Sequence, residues 1–346
     1  MASPALQPFC CFFRDNSSSP ESSEQGFHLN EPISAYNALC IFSSTASVCG
    51  AIYQLLPRSL ERLPRARREL ESFLRQNAII CWLTLADLFA SLGVLLRSSM
   101  WLAGFLPYTH IKSSDHLDFS HFFCAVSSAW IQYFYLCTYF WTFCYAVDVA
   151  LLVADKKSHS CIYHALSWVG PLLLSVGTLM PLYYPSLLRC ELKFSHLVPL
   201  YLSTYIPILV VMIVNPILYT IASKRVTETL MSCGQFTDQE RLVVSNVRHK
   251  FCQVTLVFYA CWVGNVLNGF LLLLGSVVST QIFVAIWVFM GVMNPLQALL
   301  NSIVYRGAGG WVWSCHLPRS KRHHNHIQQM LSDDSTEVSN LLSFSS

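Results

Sequence analysis

The sequence predicts an all-α membrane protein: a bundle of seven transmembrane helices, N-terminus luminal or extracellular and C-terminus cytoplasmic. Three observations predict it. The 346 residues are 53% hydrophobic and only 12% charged, about half the charged share of an ordinary soluble domain. Seven apolar stretches are each long enough to cross a hydrocarbon core of roughly 30 Å. The Lys and Arg residues fall almost wholly in alternate connections, and a net charge of +3 scattered over loops argues against a nucleic-acid partner.

Residues 1–32 form a luminal or extracellular tail with one basic residue and a Ser/Glu-rich middle. The basic n-region and long apolar h-region of a cleaved leader are not seen in it. Asn16-Ser17-Ser18 is a glycosylation sequon, relevant to a tail that faces outward. The bundle occupies 33–304, with spans at Ile33–Leu56, Asn77–Leu102, Phe122–Val153, Cys161–Tyr183, Leu200–Ala222, Phe251–Gly275 and Gln281–Val304, and residues 305–346 form a cytoplasmic tail. Lys plus Arg number six in 57–76, two in 154–160, five in 223–250 and four in 306–346, seventeen in all, against four on the other side. The positive-inside rule then sets the orientation and makes the first span a signal anchor.

Span three is the stretch around which the others are arranged. It carries Trp130, Gln132, Tyr133, Tyr135, Tyr139, Trp141 and Tyr145 on all sides, and in hydrocarbon each polar group needs a protein partner. We expect it to be the central, protein-surrounded helix. Cys124 and Asp148, about 36 Å apart along it, lie near opposite membrane faces. Cys124 pairs with Cys190 of the outer loop between spans four and five, both lying in an oxidising compartment under this orientation.

Asp87 and Arg97 are ionisable groups within span two, where each costs about 2.5–3.5 kcal/mol or more at mid-bilayer unless paired or wet. Asp87 is assigned to a polar switch with Asn294 of span seven. Arg97 is either a counter-ion for an anionic ligand group or a side chain snorkelling to the outer surface. Asn215-Pro216 and Asn294-Pro295 mark spans five and seven; proline removes a backbone donor, and the adjacent Asn is expected to bond the freed carbonyl.

Seven spans, an outward N-terminus, the Cys124–Cys190 pair and an Asn-Pro in span seven together resemble a G-protein-coupled receptor. Phe9-Cys10-Cys11, Leu95-Leu96-Arg97-Ser98 with Trp101, Phe143 to Asp148, Tyr183-Tyr184-Pro185-Ser186 with Arg189-Cys190-Glu191, and Met290 to Gln297 resemble the ocular albinism type 1 receptor family. That resemblance implies a pigment-cell receptor of melanosome and late endosome or lysosome membranes, transiently at the plasma membrane. It would couple to heterotrimeric G proteins, with arrestin among its partners, and respond to L-DOPA with tyrosine and dopamine competing. No cofactor is implied.

The chain departs from receptor patterns in three places. Val149, not arginine, follows Asp148, so the usual cytoplasmic latch is missing; Tyr305 comes ten residues after Pro295; and residues 223–250 hold no Leu-Leu pair. In its place Glu337-Val338-Ser339-Asn340-Leu341-Leu342 reads as an acidic dileucine for a clathrin adaptor.

The ligand hypothesis places a small aromatic amino acid in the outward half. Arg97 takes its carboxylate, Trp130 and Tyr133 flank the ring, and Gln132 or Asn265 bonds the catechol hydroxyls. Asp87, Asp148, Asn294 and Pro295 form the conformational switch. The G-protein surface is Lys156, Lys157, Lys224, Arg225, Arg241, Arg248 and Lys250, which anionic lipid headgroups would also attract. We find no nucleophile–base or metal constellation for an enzyme, and the last span has no lysine for retinal. The alternative is a seven-helix transporter or organelle sorting scaffold acting without G protein.

Overall fold

The computed structural model describes residues 23–56, 67–105, 114–154, 156, 158–183, 194–232, 238–274 and 280–306. All regular structure among them is helical: α1 (Ser23–Leu55), α2 (Arg67–Leu102), α3 (Ser114–Val153), α4 (Ser160–His164 and Gly170–Tyr183, joined by the π-turn Ala165–Val169), α5 (Phe194–Ser232), α6 (Asp238–Leu274) and α7 (Thr280–Arg306). Each holds a stretch long and apolar enough to cross a membrane: Ile33–Leu55, Arg75–Leu102, Ala125–Val153, Ser160–Gly177, Leu202–Arg225, Phe251–Leu271 and Gln281–Arg306. α2 begins ten residues before its predicted span, because Arg67–Gln76 is mostly made of good helix formers that extend the helix beyond the apolar stretch. That extension brings Arg75 into the bundle. Met1–Arg306 forms one compact unit and Gly307–Ser346 a second, the latter outside the described residues.

The helices pack in a ring, α1 on α2 and α7, α4 on α5, α5 on α6, and α6 on α7, while α3 packs against α2, α4, α5 and α6. Its apolar stretch is 61% buried within the protein, against 22% for α4, so the polar and aromatic side chains of α3 meet protein instead of lipid. α1 and α7 approach closely at Gly291, where an added Cβ would lie 2.5 Å from the Tyr36 ring. Small residues permit such contact where lipid supplies no hydrophobic force between helices.

Two cores stack along the bundle axis. One gathers Tyr36, Tyr135, Tyr139, Ile208, Phe258 and Trp262; Trp262 meets the rings of Tyr135 and Tyr139 edge-on at centroid distances of 4.9 and 4.6 Å. The other gathers Leu83, Trp141, Cys144, Tyr145, Phe251 and Tyr305.

The carbonyls that the prolines free are bonded from outside their own helices. Pro295 leaves the Gly291 carbonyl without its helical donor, and Ser43 Oγ of α1 donates to that oxygen at 3.2 Å with Cys40 Sγ at 3.5 Å. Pro216 likewise frees the Met212 carbonyl, which accepts from the Tyr259 hydroxyl of α6. This corrects the expected role of the adjacent asparagines. Asn215 and Asn294 are buried with neither side-chain polar atom hydrogen-bonded.

Candidate functional site

At mid-bundle, Asp87 of α2 is 4% exposed. Its Oδ1 accepts from Thr138 Oγ1 of α3 at 2.8 Å and its Oδ2 from Asn301 Nδ2 of α7 at 3.0 Å. The carboxylate thus bridges three helices through neutral donors. Its partner on α7 is Asn301 and not Asn294, which stands seven residues, about two turns or 10 Å, farther along. α7 also meets α2 where Ser91 Oγ donates to the Pro295 carbonyl at 3.4 Å.

The end of the bundle at which α3 gives way to α4, between Val153 and Ser160, is its basic end and carries Lys156. Asp148 lies there with no exposed surface. Its Oδ1 accepts from Arg75 Nε of α2 at 2.7 Å, from Ser158 Oγ at 2.9 Å and from the Tyr163 hydroxyl of α4 at 3.4 Å. Its Oδ2 is buried without a partner. α1 is secured at the same end by Arg306, which donates to the carbonyls of Gln54 and Leu56 and stacks 4.3 Å over the Tyr53 ring. A cation beside the last carbonyls of a helix also complements its dipole. Lys156, Lys224 and Arg225 are exposed there. Lys157 and the side chains of Arg241, Arg248 and Lys250 lie outside the described residues.

Toward the opposite end, Arg97 is 8% exposed, inside the bundle beside Tyr36, Cys40 and Tyr135. Trp262 Nε1 donates to Gln297 Oε1, which fixes the register of the antiparallel α6 and α7. Asn265 and Asn294 stand three residues beyond that bond on their helices, so they share one layer. Both are buried, and all four of their side-chain polar atoms lack a hydrogen-bond partner. Along the bundle away from the basic end, Arg97 lies about 15 Å beyond Asp87 and Asn294 about 10 Å beyond Asn301; cation and amides are close in depth.

The five residues assigned to a ligand do not converge. Trp130 is 43% exposed on the flank, donating to the Phe89 carbonyl at 2.9 Å and packing on Phe134 with ring centroids 4.8 Å apart. Tyr133 turns to α4, its hydroxyl 3.4 Å from the Trp168 carbonyl. Gln132 is buried against α5, bonding Thr204 Oγ1 at 2.9 Å. Arg97 and Asn265 face inward. Sequence reasoning missed Arg75, Ser158, Tyr163, Asn301 and Gln297; a buried acid at the end of span three, with no cation beside it in sequence, was the signal pointing to Arg75. Cys124 lies on α3 with its side chain outside the described residues, as are Asn16, Cys190, Glu337, Leu341 and Leu342.

Seven helices long and apolar enough to cross a membrane, with the third the most buried and the proline-freed carbonyls of the fifth and seventh bonded by neighbouring helices, define a seven-helix membrane bundle. The family model for the ocular albinism type 1 protein matches residues 1–343. The human protein named G-protein coupled receptor 143 is 32% identical over 93% of this chain and 81% of its own length. The cyclic AMP receptor-like protein C of Dictyostelium discoideum is 24% identical over 66% of this chain and 62% of its own. The chain belongs to the ocular albinism type 1 family and is a multi-pass membrane G-protein-coupled receptor.

Proposed function

We propose that this receptor takes a small zwitterionic aromatic amino acid of the L-DOPA type in its outward half and signals through a heterotrimeric G protein at its basic, cytoplasmic end. Melanosome and endolysosome membranes are the setting, with the tail dileucine Glu337 to Leu342 read by a clathrin adaptor. The observation that carries the reading is a buried guanidinium, Arg97, close in depth to two fully buried amides with unpartnered atoms, Asn265 and Asn294. Buried amides left unbonded cost about 1–3 kcal/mol each. A ligand carboxylate is matched in charge and shape to the guanidinium, and ring hydroxyls supply the partners that the two amides lack. Tyr135 and Trp262, in the core beneath this layer, take the ring-facing role first assigned to Trp130 and Tyr133.

The test uses protein held at the cell surface by Leu341→Ala and Leu342→Ala. L-DOPA is expected to stimulate nucleotide exchange on G protein, and Arg97→Gln to abolish that response with surface delivery unchanged. A normal response in Arg97→Gln contradicts the assignment.

A further inference from the structure

A carboxylate with no exposed surface needs a cation or several donors to offset its lost hydration. Val149 occupies the position after Asp148 where a sequence-adjacent arginine would serve. Arg75 supplies the cation from a different helix, its Nε 2.7 Å from Asp148 Oδ1. Ser158, in the connection between α3 and α4, and Tyr163, on α4, donate to the same oxygen. One atom therefore ties together α2, α3, α4 and the short connection between the last two.

The arrangement is uneven in two ways. The Arg75 side chain is 21% exposed and Asp148 is not exposed at all, so the guanidinium reaches water by a small swing while the acid cannot. In addition Asp148 Oδ2 has no partner, which leaves an acceptor position open for a donor that arrives when the end rearranges. A contact cheap to leave on one side and needing replacement on the other suits a switch element, which requires two discrete arrangements.

We propose that the Arg75–Asp148 knot is the restraint that keeps the coupling end closed in the absence of ligand, with Arg75 as its positioning residue. It takes over between helices the task that an arginine following the acid would perform within α3. The proposal rests on the reading that G protein binds at the basic end.

Cys144 reports on the knot without any G protein. It lies one turn before Asp148 on α3, is 1% exposed, and has its Sγ 3.4 Å from Ser167 Oγ of α4. The full chain in lipid nanodiscs is treated with a water-soluble maleimide, and the Cys144 and Cys261 peptides are quantified by mass spectrometry. In parallel, ligand-free nucleotide exchange is measured with purified heterotrimeric G protein. Arg75→Gln is expected to raise both Cys144 labelling and exchange by at least about fivefold, the lower end of ordinary allosteric coupling. Cys261, with no exposed surface in the other core, stays protected. Ser158→Ala, which keeps the ion pair, is expected to move both readouts in the same direction by less, and serves if Arg75→Gln does not fold. Wild-type labelling and exchange in these variants overturn the latch, and so does labelling that spreads equally to Cys261. Faster Cys144 labelling without added exchange on any G protein upholds the latch and overturns the coupling reading.

Discussion

Two buried carboxylates, Asp87 at mid-bundle and Asp148 at the basic end, are held by different chemistry. Asp87 is gripped on both oxygens by neutral donors, Thr138 and Asn301; Asp148 takes a guanidinium, a hydroxyl and a phenol on one oxygen and leaves the other empty. The first is a fully used bridge among α2, α3 and α7, closed in on all sides. The second is a lopsided contact whose cation has a way out to water. The difference teaches that burial alone does not mark a switch: what matters is whether one partner can leave without stranding itself.

Asp148→Ala has the largest expected effect on stability. It removes the common acceptor of α2, α4 and the α3–α4 connection and leaves Arg75 facing an apolar site. Breaking a buried pair costs about 3–5 kcal/mol, and we expect the lower part of that range because Arg75 can turn to solvent. Thermal unfolding in detergent checks this against Asp87→Asn, which keeps the shape and the Thr138 bond but sets two amides against each other at Asn301. That change is expected to cost about 1–2 kcal/mol, the order of one compromised buried hydrogen bond. A larger loss for Asp87→Asn than for Asp148→Ala would reverse the comparison.

Asn294→Leu is expected to do least to the fold. With both amide atoms unbonded, the substitution removes an unmet polar group and should leave stability within about 1 kcal/mol of the native protein or raise it. Its signature is the ligand response instead, expected to fall while the melting temperature holds. A strongly destabilised Asn294→Leu would mean that the amide already has a structural partner.

The seven-helix fold was legible because hydropathy reports directly on the length and apolar character that crossing a bilayer demands. The central place of α3 was legible too, since side chains such as Gln132 and Tyr139 have no home in lipid. Partner identity was less so. Asp87 found Asn301 instead of Asn294, two turns away on the same helix, because a sequence gives the facing side of a helix but not the depth at which its neighbour meets it. Trp130 and Tyr133 are adjacent to the right helix face only in sequence; turns of about 100° per residue carry them to the flank and to α4. Arg75 was counted with the loop because it sits just before the apolar stretch. The carbonyls freed by the two prolines were assigned to the adjacent asparagines, whereas side chains from α1 and α6 reach them.

The most direct measurement is ligand-free nucleotide exchange by Asp148→Asn and Asp87→Asn receptors, matched for folded amount, on one G protein. Weakening the grip on Arg75 should raise exchange at least about fivefold in Asp148→Asn and leave Asp87→Asn at the native level. Equal rates in the two variants, or a rise confined to Asp87→Asn, would contradict the account.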